Sequence, residues 1–267
     1  MRAARAHASP GPWADAKQIS SPGAIRKRGG RKLMKGIAFV GKSWFLLTVA
    51  GLTISQVLAQ ETKSGIPLDQ SWKETVYAFA ANNLQHTAWG LEHSERDYQL
   101  ARALAAGDGL EIDEDILFAA AFLHDMAAFE PYAVAGEDHS NVGADKAGAI
   151  LARAGFPMAK LPSVQAAIRA HMYYAEVPAE PVAQVLHDAD TLNFLGAIGV
   201  TRIISLTTRE GLAKDLPAAV ATLENFGREL PASLVTATAK AMAADRVQEM
   251  ESFLAALRQQ SVDGRAL

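Results

Sequence analysis

From residue 66 onward, the sequence is a series of helical segments separated by short breaks at glycine and proline. Alanine is frequent and aromatic residues make up only 7% of the chain, which favours helices over strands. No segment alternates apolar and polar residues for long enough to predict a strand. We therefore predict an all-α fold, with one compact domain of many helices over residues 66–260. The predicted helices cover, in chain order, 69 or 71 to 84, 91–106, 114–124, 140–151, 163–171, 182–188, 192–206, 216–226 and 232–258.

The chain contains no cysteine. Disulfides, thiolate-bound zinc and a cysteine nucleophile are therefore excluded. Any metal site must be built from histidine, aspartate, glutamate, carbonyl groups or water.

The net charge of -3 conceals an uneven distribution along the chain. Residues 1–59 hold ten of the 26 basic residues and one of the 29 acidic residues, so residues 60–267 carry a net charge of -12. Such an acidic body repels a nucleic-acid backbone, and we predict no stable binding to a duplex. A nucleotide could still bind through a metal ion.

The N-terminal region has the composition of a targeting segment. Residues 1–33 are rich in proline, glycine, serine and arginine, and we predict a disordered basic arm there; whether translation starts at Met1 or Met34 is open. Residues 34–59 combine a short basic region, an apolar run over 44–54 and small or β-branched residues up to Ala59, which is the layout of a signal peptide. We predict cleavage after Ala59 and export to a bacterial periplasm. An uncleaved membrane anchor, which would be the only contact with a membrane, and an N-terminal helix of the domain are the alternatives.

A histidine–aspartate pair ends the most apolar of the predicted helices. His124 and Asp125 follow the run Ala119-Ala-Ala-Phe-Leu123, which places that helix in the core. Burying two unpaired polar groups costs free energy, whereas one metal ion can bind both an imidazole nitrogen and a carboxylate oxygen. Adjacent helical residues point about 100° apart, so a shared ion requires a helix end or kink, with further ligands from other helices.

Two other segments place polar residues where ligands could converge. Asp188 and Asp190 lie between apolar flanks, too far apart around a helix to share one face. We expect one of them to bind a metal and the other to cap or orient, and the residues alone do not decide which. His93 opens a further helix and is the third candidate.

The order of these segments resembles the HD-domain superfamily of metal-dependent phosphohydrolases, whose pattern is a lone histidine, a His-Asp pair and a distant aspartate on separate helices. The resemblance spans roughly residues 76–258. It implies an HD-type fold and the metal ligands His93, His124, Asp125 and Asp190; Asp190 is preferred because Ala189-Asp190-Thr-Leu192 fits the family's Ala-Asp-x-Leu. Asn193 stands where similar sequences often have aspartate, and Met126-Ala127 where Ile-Gly is frequent.

Some members of that superfamily bind two metal ions with two further histidines, and the paired aspartate bridges the ions. His139 and His171 are similar to those positions, although His171 is followed by methionine where many two-metal members have a second histidine. The resemblance therefore implies one or two divalent transition-metal ions, and histidine ligands favour Mn, Fe, Co, Ni or Zn.

The activity expected from this resemblance is hydrolysis of a small phosphate ester or nucleotide. His124 and Asp125 are the predicted catalytic pair, with metal-bound hydroxide attacking phosphorus and Asp125 placing or deprotonating the water. Arg96, Lys146, Arg169 and Tyr173 lie near the proposed ligands in sequence and are candidates for binding the substrate. The alternatives are a di-iron oxygenase on the same scaffold and a metal-binding or sensing domain without catalysis. The oligomeric state cannot be read from the sequence.

Overall fold

The computed structural model describes residues 60–210 and 213–267, with no side-chain description for 206–210. The predicted basic arm and signal segment lie outside these residues. Within them the fold is all-α, as predicted, apart from one small antiparallel strand pair, β1 (Gln60–Glu61) and β2 (Pro67–Leu68), which the sequence pattern did not show. The helices are α1 (Ser71–Asn83), α2 (Leu91–Asp108), α3 (Glu114–Leu123), α4 (His139–Ala154), α5 (Leu161–Ala170), α6 (Pro181–Leu192), α7 (Gly196–Glu210), α8 (Leu216–Glu229) and α9 (Ala237–Gln260).

Helix α3 is the centre of the core. Its side chains from Ile116 to Leu123 are all buried, and it packs against α1, α2, α5 and α6. Asp113 caps its start by accepting hydrogen bonds from the backbone N–H groups of Asp115 and Ile116. Because α3 is surrounded on all sides, the residues that follow Leu123 emerge between the ends of its neighbours.

A glycine allows α4 to approach the end of α3 closely. A Cβ atom on Gly143 would lie 3.3 Å from the carbonyl oxygen of His124, tighter than ordinary van der Waals contact. This close approach brings the start of α4, at His139, to the same end of the domain as His124.

Helices α6 and α7 are separate, and the break between them falls at residues 193–195 instead of at 189–191, between the predicted helices 182–188 and 192–206. Asn193 ends α6, and Gly196 starts α7 with a positive φ of 67°, a conformation that favours glycine. This break turns the chain, so that Asn193 and Arg202 both face the interior.

The last helix begins later than predicted, at Ala237 instead of residue 232. The segment Leu230–Ala232 is a short 3₁₀ turn, and Thr236 caps α9. Two aspartates from other helices hold this start: Asp108 accepts from the backbone N–H groups of Ala237 and Thr238, and Asp188 accepts from those of Val235 and Thr236. Buried and partly buried N–H groups at the helix start thereby gain partners.

Among residues 60–210 and 213–267, none of the helices has the length and apolar character that a membrane crossing requires.

Candidate metal centre

Six side chains predicted as metal ligands converge at one end of the helical domain. His124 and His171 stand directly after α3 and α5, and His139 begins α4. Asp125 follows His124, His93 lies in the first turn of α2, and Asp190 lies near the end of α6. Helix ends or first turns from five helices thus meet at this point of the domain.

Asp125 divides its two carboxylate oxygens between two groups of histidines. Its Oδ2 lies 3.4 Å from Nε2 of His93 and 3.4 Å from Nε2 of His124. Its Oδ1 lies 3.3 Å from Nε2 of His139 and 3.5 Å from Nε2 of His171. A carboxylate placed between two sets of imidazoles can bridge two cations.

We call the two sets the inner and outer halves. The inner half consists of His93, Asp97, His124, Asp190 and Oδ2 of Asp125. The outer half consists of His139, His171 and Oδ1 of Asp125. The donor atoms of His93, Asp97, His124 and Asp190 all lie within 4.8 Å of one another, and so do those of His124, Asp125 and His171.

The two halves differ in their access to solvent. The inner side chains of His93, Asp97, His124 and Asp190 have at most 2% of their surface exposed. In the outer half His171 is likewise 0% exposed, and only the side chain of His139, at 24%, opens the described part of the cluster to solvent to that extent.

Backbone carbonyls orient two of the histidines. Nδ1 of His124 lies 2.9 Å from the carbonyl oxygen of Ala121, and Nδ1 of His171 lies 2.7 Å from that of Ile168. When Nδ1 donates in this way, Nε2 carries the lone pair and points into the cluster, as in metal-binding histidines.

The Asp125 carboxylate raises the pKa of two of the histidines. Burial alone disfavours the imidazolium of His124, but Asp125 outweighs this effect and raises the pKa of His124 to about 10. Burial likewise opposes the charged form of His139, and the hydrogen bond to Asp125 still raises its pKa. Burial lowers the pKa of His171, whose Nε2 lies 3.5 Å from Oδ1 of Asp125, compared with 3.3 Å for Nε2 of His139.

The pKa values of two of the aspartates are lowered, and that of the third is raised. Against the effect of burial, His124 holds the pKa of the Asp125 carboxyl well below its usual range, and His93 lowers the pKa of Asp190 to about 2. Burial raises the pKa of Asp97, and the nearby charge of Asp190 adds to the rise. Without a metal ion, protons on histidines offset the buried carboxylates; a divalent cation can take over this role.

A further observation indicates that these side chains suit a metal ion. Oδ2 of Asp97 and Oδ2 of Asp190 are buried, and neither has a hydrogen-bond donor among the residues that the structure describes. Buried polar atoms normally have partners, so two such oxygens facing the same histidines indicate a cation between them. Nitrogen and carboxylate donors together suit a divalent transition metal.

The geometry separates Asp190 from its rival Asp188. Oδ1 of Asp190 lies 3.2 Å from Nε2 of His93, within the cluster. Asp188 instead accepts hydrogen bonds at 2.7–2.9 Å from the backbone of Val235 and from the backbone and hydroxyl of Thr236. One aspartate thus faces the cluster while the other fixes the start of α9.

Two predicted substrate-binding residues, Arg96 and Tyr173, lie in different surroundings. Arg96 lines a cavity of about 640 Å³ beside α2, together with Lys63, Glu92 and Arg246. The ring of Tyr173 packs edge-on against Phe194, with 5.9 Å between centroids. Their role in binding a substrate stays a prediction.

The other two predicted substrate-binding residues have partners of their own. Nζ of Lys146 donates to the carbonyl oxygen of Tyr132 at 2.6 Å, and Arg169 pairs with Asp145 at 2.5 Å on the surface. Each of these cations has further N–H donors besides the one it uses here, and their role too stays a prediction.

Sequence reasoning missed one member of the cluster, Asp97. Asp97 is fully buried, and its Oδ2 lies 3.1 Å from Nε2 of His93; the i,i+4 spacing of the two residues was the available signal. Arg202 is buried as well, and its Nη2 lies 3.3 Å from Nε2 of His93. Its positive charge offsets part of the charge of three carboxylates.

Comparison with known proteins identifies the same region. Residues 90–195, which contain all six predicted ligands, match the model of the HD domain. No curated protein matches the sequence.

Several solved structures share the fold. A Lactobacillus plantarum protein is 21% identical, with a TM-score of 0.57 over 72% of this chain and 98% of its own. Bacillus subtilis YpgQ, solved in complex with ADP, is 20% identical, with a TM-score of 0.53 over 70% of this chain and 97% of its own. An HD-superfamily hydrolase of Bacillus thuringiensis is 22% identical, with a TM-score of 0.53 over 70% of this chain and 95% of its own. Residues 90–195 therefore match the HD domain, and the chain has the fold of these solved HD-type structures.

Proposed function

We propose that this protein is a metal-dependent phosphohydrolase that acts on a small phosphate ester, with a nucleotide as the first substrate class to test. The observation that carries the proposal is the division of the Asp125 oxygens between the inner and outer halves, each 3.3–3.5 Å from two imidazole nitrogens. This arrangement suits two cations held side by side, which is a recurrent design of phosphate-ester hydrolases.

A divalent ion bound there would lower the pKa of a coordinated water and offset the charge that develops on phosphoryl oxygens. The protein's part is to place the reactants. His93, His124 and Asp190 would hold the inner ion, His139 and His171 the outer ion, and Asp125 both.

Asp125 also orients the attacking water in this proposal. Its side chain is 10% exposed, and its low pKa keeps the carboxylate ionised throughout the physiological range. An ionised carboxylate between the two halves can accept a hydrogen bond from a water that enters beside His139. Arg202 lies on the buried side of the cluster, where its positive charge offsets part of the negative charge of the carboxylates. Its Nη1 donates to the backbone carbonyl oxygen of Asn193 at 3.0 Å.

The nucleotide is favoured by one relative. YpgQ was solved with ADP, and its fold covers most of this chain. The net charge of -12 over residues 60–267 disfavours longer nucleic acids, whereas a single nucleotide needs only the metal ions to offset its phosphates.

The test is metal-dependent release of phosphate. Purified protein is stripped of metal, reloaded separately with Mn²⁺, Fe²⁺, Co²⁺, Ni²⁺ and Zn²⁺, and assayed on nitrophenyl phosphates and nucleoside mono-, di- and triphosphates. We expect hydrolysis with at least one ion and its loss in Asp125→Asn and His139→Ala. Oxygen consumption by the iron form without phosphate release would support the oxygenase instead, and metal binding without either activity would support a sensing domain.

We also propose that the protein works after export, on the pattern of residues 34–59. N-terminal sequencing of protein isolated from a bacterial periplasm tests this proposal. A mature chain that starts at Gln60 would support it, and full-length chain retained in the cytoplasm would contradict it.

A further inference from the structure

We infer that Asp97 is an additional metal ligand in the inner half, and that Asn193 holds it in place. This inference rests on the metal centre of the proposed function but not on the substrate. Its consequence is a division of labour between the two halves.

Asp97 lies where a ligand of the inner metal ion would lie. One helical turn after His93, it points to the same side of α2. Its Oδ2 lies 3.1 Å from Nε2 of His93 and 3.5 Å from Nε2 of His124. The side chain is fully buried, and this oxygen has no hydrogen-bond donor among the described residues.

A proton on His93 cannot replace the cation. Nη2 of Arg202 lies 3.3 Å from Nε2 of His93. The same Nε2 atom has carboxylate oxygens of Asp97, Asp190 and Asp125 at 3.1, 3.2 and 3.4 Å, and Nε2 of His124 at 3.4 Å. One N–H can donate effectively to only one of these atoms. A cation at the centre of the group can bind all of them together.

Asn193 fixes the other oxygen of Asp97. Its Nδ2 donates to Oδ1 of Asp97, which leaves Oδ2 directed at the histidines. Asn193 is itself held, because its Nδ2 also donates to the carbonyl oxygen of Ala189 at 3.2 Å and its backbone carbonyl oxygen accepts from Nη1 of Arg202 at 3.0 Å. Similar sequences of the HD superfamily often have aspartate where this chain has Asn193. A carboxylate there would repel Asp97, whereas an amide donates to it, so the identities of the two residues match each other.

The two halves then differ in how fully the protein surrounds an ion. The inner half offers five side chains, His93, Asp97, His124, Asp125 and Asp190, and the outer half offers three. Metal sites filled by protein ligands are usually structural, while reactive sites keep positions for water. We therefore assign retention of the metal to the buried inner half, and water and substrate to the outer half.

The experiment is a Mn²⁺ titration of the metal-free full chain, with free Mn²⁺ measured by electron paramagnetic resonance. Wild type should bind two ions. Asp97→Asn should weaken one site by more than about 100-fold, since the loss of a residue that only orients a ligand already costs 10- to 100-fold. Asn193→Ala should weaken the same site by about 10- to 100-fold. His139→Ala should weaken the other site.

Glu95→Gln is the matched control. It removes a buried carboxylate of the same helix whose partners are Thr62, Ser64 and Tyr77, away from the cluster. Both sites should keep their affinity in this variant. Urea unfolding of the metal-free variants separates loss of binding from loss of fold, and Asn193→Ala decides the question if Asp97→Asn does not fold.

The outcomes are distinct. Two ions bound equally well by wild type and Asp97→Asn would overturn the inference and leave the proposed function standing. An equal loss in Glu95→Gln would also overturn it, because the effect would then be general electrostatics. A wild type that binds no ion would overturn both the inference and the proposed function.

Discussion

Exchanging Asp188 or Asp190 for asparagine should separate stability from metal binding, although the two residues lie two positions apart in α6. Asp188 is fully buried and accepts three hydrogen bonds, two from backbone N–H groups and one from a hydroxyl. Asparagine keeps one acceptor oxygen and turns an amide NH₂ toward the remaining donors. At least one buried donor then loses its partner.

The cost follows from these contacts. An unsatisfied buried donor costs about 1–3 kcal/mol, and the hydrogen bonds that remain lose the assistance of the charge. We expect Asp188→Asn to lower the free energy of unfolding of the metal-free protein by about 3 kcal/mol, measured by urea denaturation. Its metal content should equal that of wild type, because Asp188 faces α9 and not the cluster.

Asp190→Asn should behave in the opposite way. Asparagine can still accept a hydrogen bond from His93, so the free energy of unfolding should fall by only about 1 kcal/mol. The inner half loses a carboxylate ligand, however, and metal content measured by mass spectrometry after gel filtration should drop from two ions toward one or none. Two results would refute this reasoning: Asp188→Asn that loses metal at unchanged stability, or Asp190→Asn that retains two tightly bound ions.

Three further predictions follow from the same contacts. Asp125→Ala should abolish binding of both ions, because each half loses an oxygen; metal analysis that still finds one ion per chain would exclude a bridging role. Metal binding at pH 7.5 should release at least one proton, because the pKa of His124 is raised to about 10 and a metal-bound imidazole must be neutral. The affinity for metal should therefore increase by about tenfold per pH unit between pH 6 and 8. Calorimetry in buffers of different ionisation enthalpy measures the proton release, and a binding enthalpy that does not change with the buffer would contradict this prediction. Asp108→Asn should lower stability by about 1 kcal/mol at pH 7, as loss of a helix cap does. Hydrogen bonds from Thr238 and Ala237 lower the pKa of Asp108, so its contribution is present above about pH 4 and lost as pH falls through the lowered value; a destabilisation that persists unchanged at pH 2 would contradict this account.

The helices could be predicted because local sequence determines where they begin and end. Asp113 at the start of α3 and Gly155 after α4 act through the backbone within one turn, and their effect is visible without any tertiary contact. The late start of α9 could not be predicted, since Asp108 and Asp188 hold it from 129 and 47 or 48 residues away.

The centre of the site could be predicted for a different reason. His124 and Asp125 follow a helix that is apolar from Ile116 to Leu123, so burial of two polar residues was already implied. The choice between Asp188 and Asp190 needed the family resemblance, because both lie between apolar residues and both turn out to be fully or almost fully buried.

Asp97 was missed because its neighbours in sequence are charged. Glu92, Glu95 and Arg96 surround it, and a run of charges in a helix is usually a solvated face. Here Glu95 is buried too, bound to the segment at residues 62–64 and to Tyr77, while His93 and Asp97 are buried on the opposite side of α2. Helix α2 is thus covered on two sides by segments distant in sequence, and a local run of charges gives no sign of such tertiary burial.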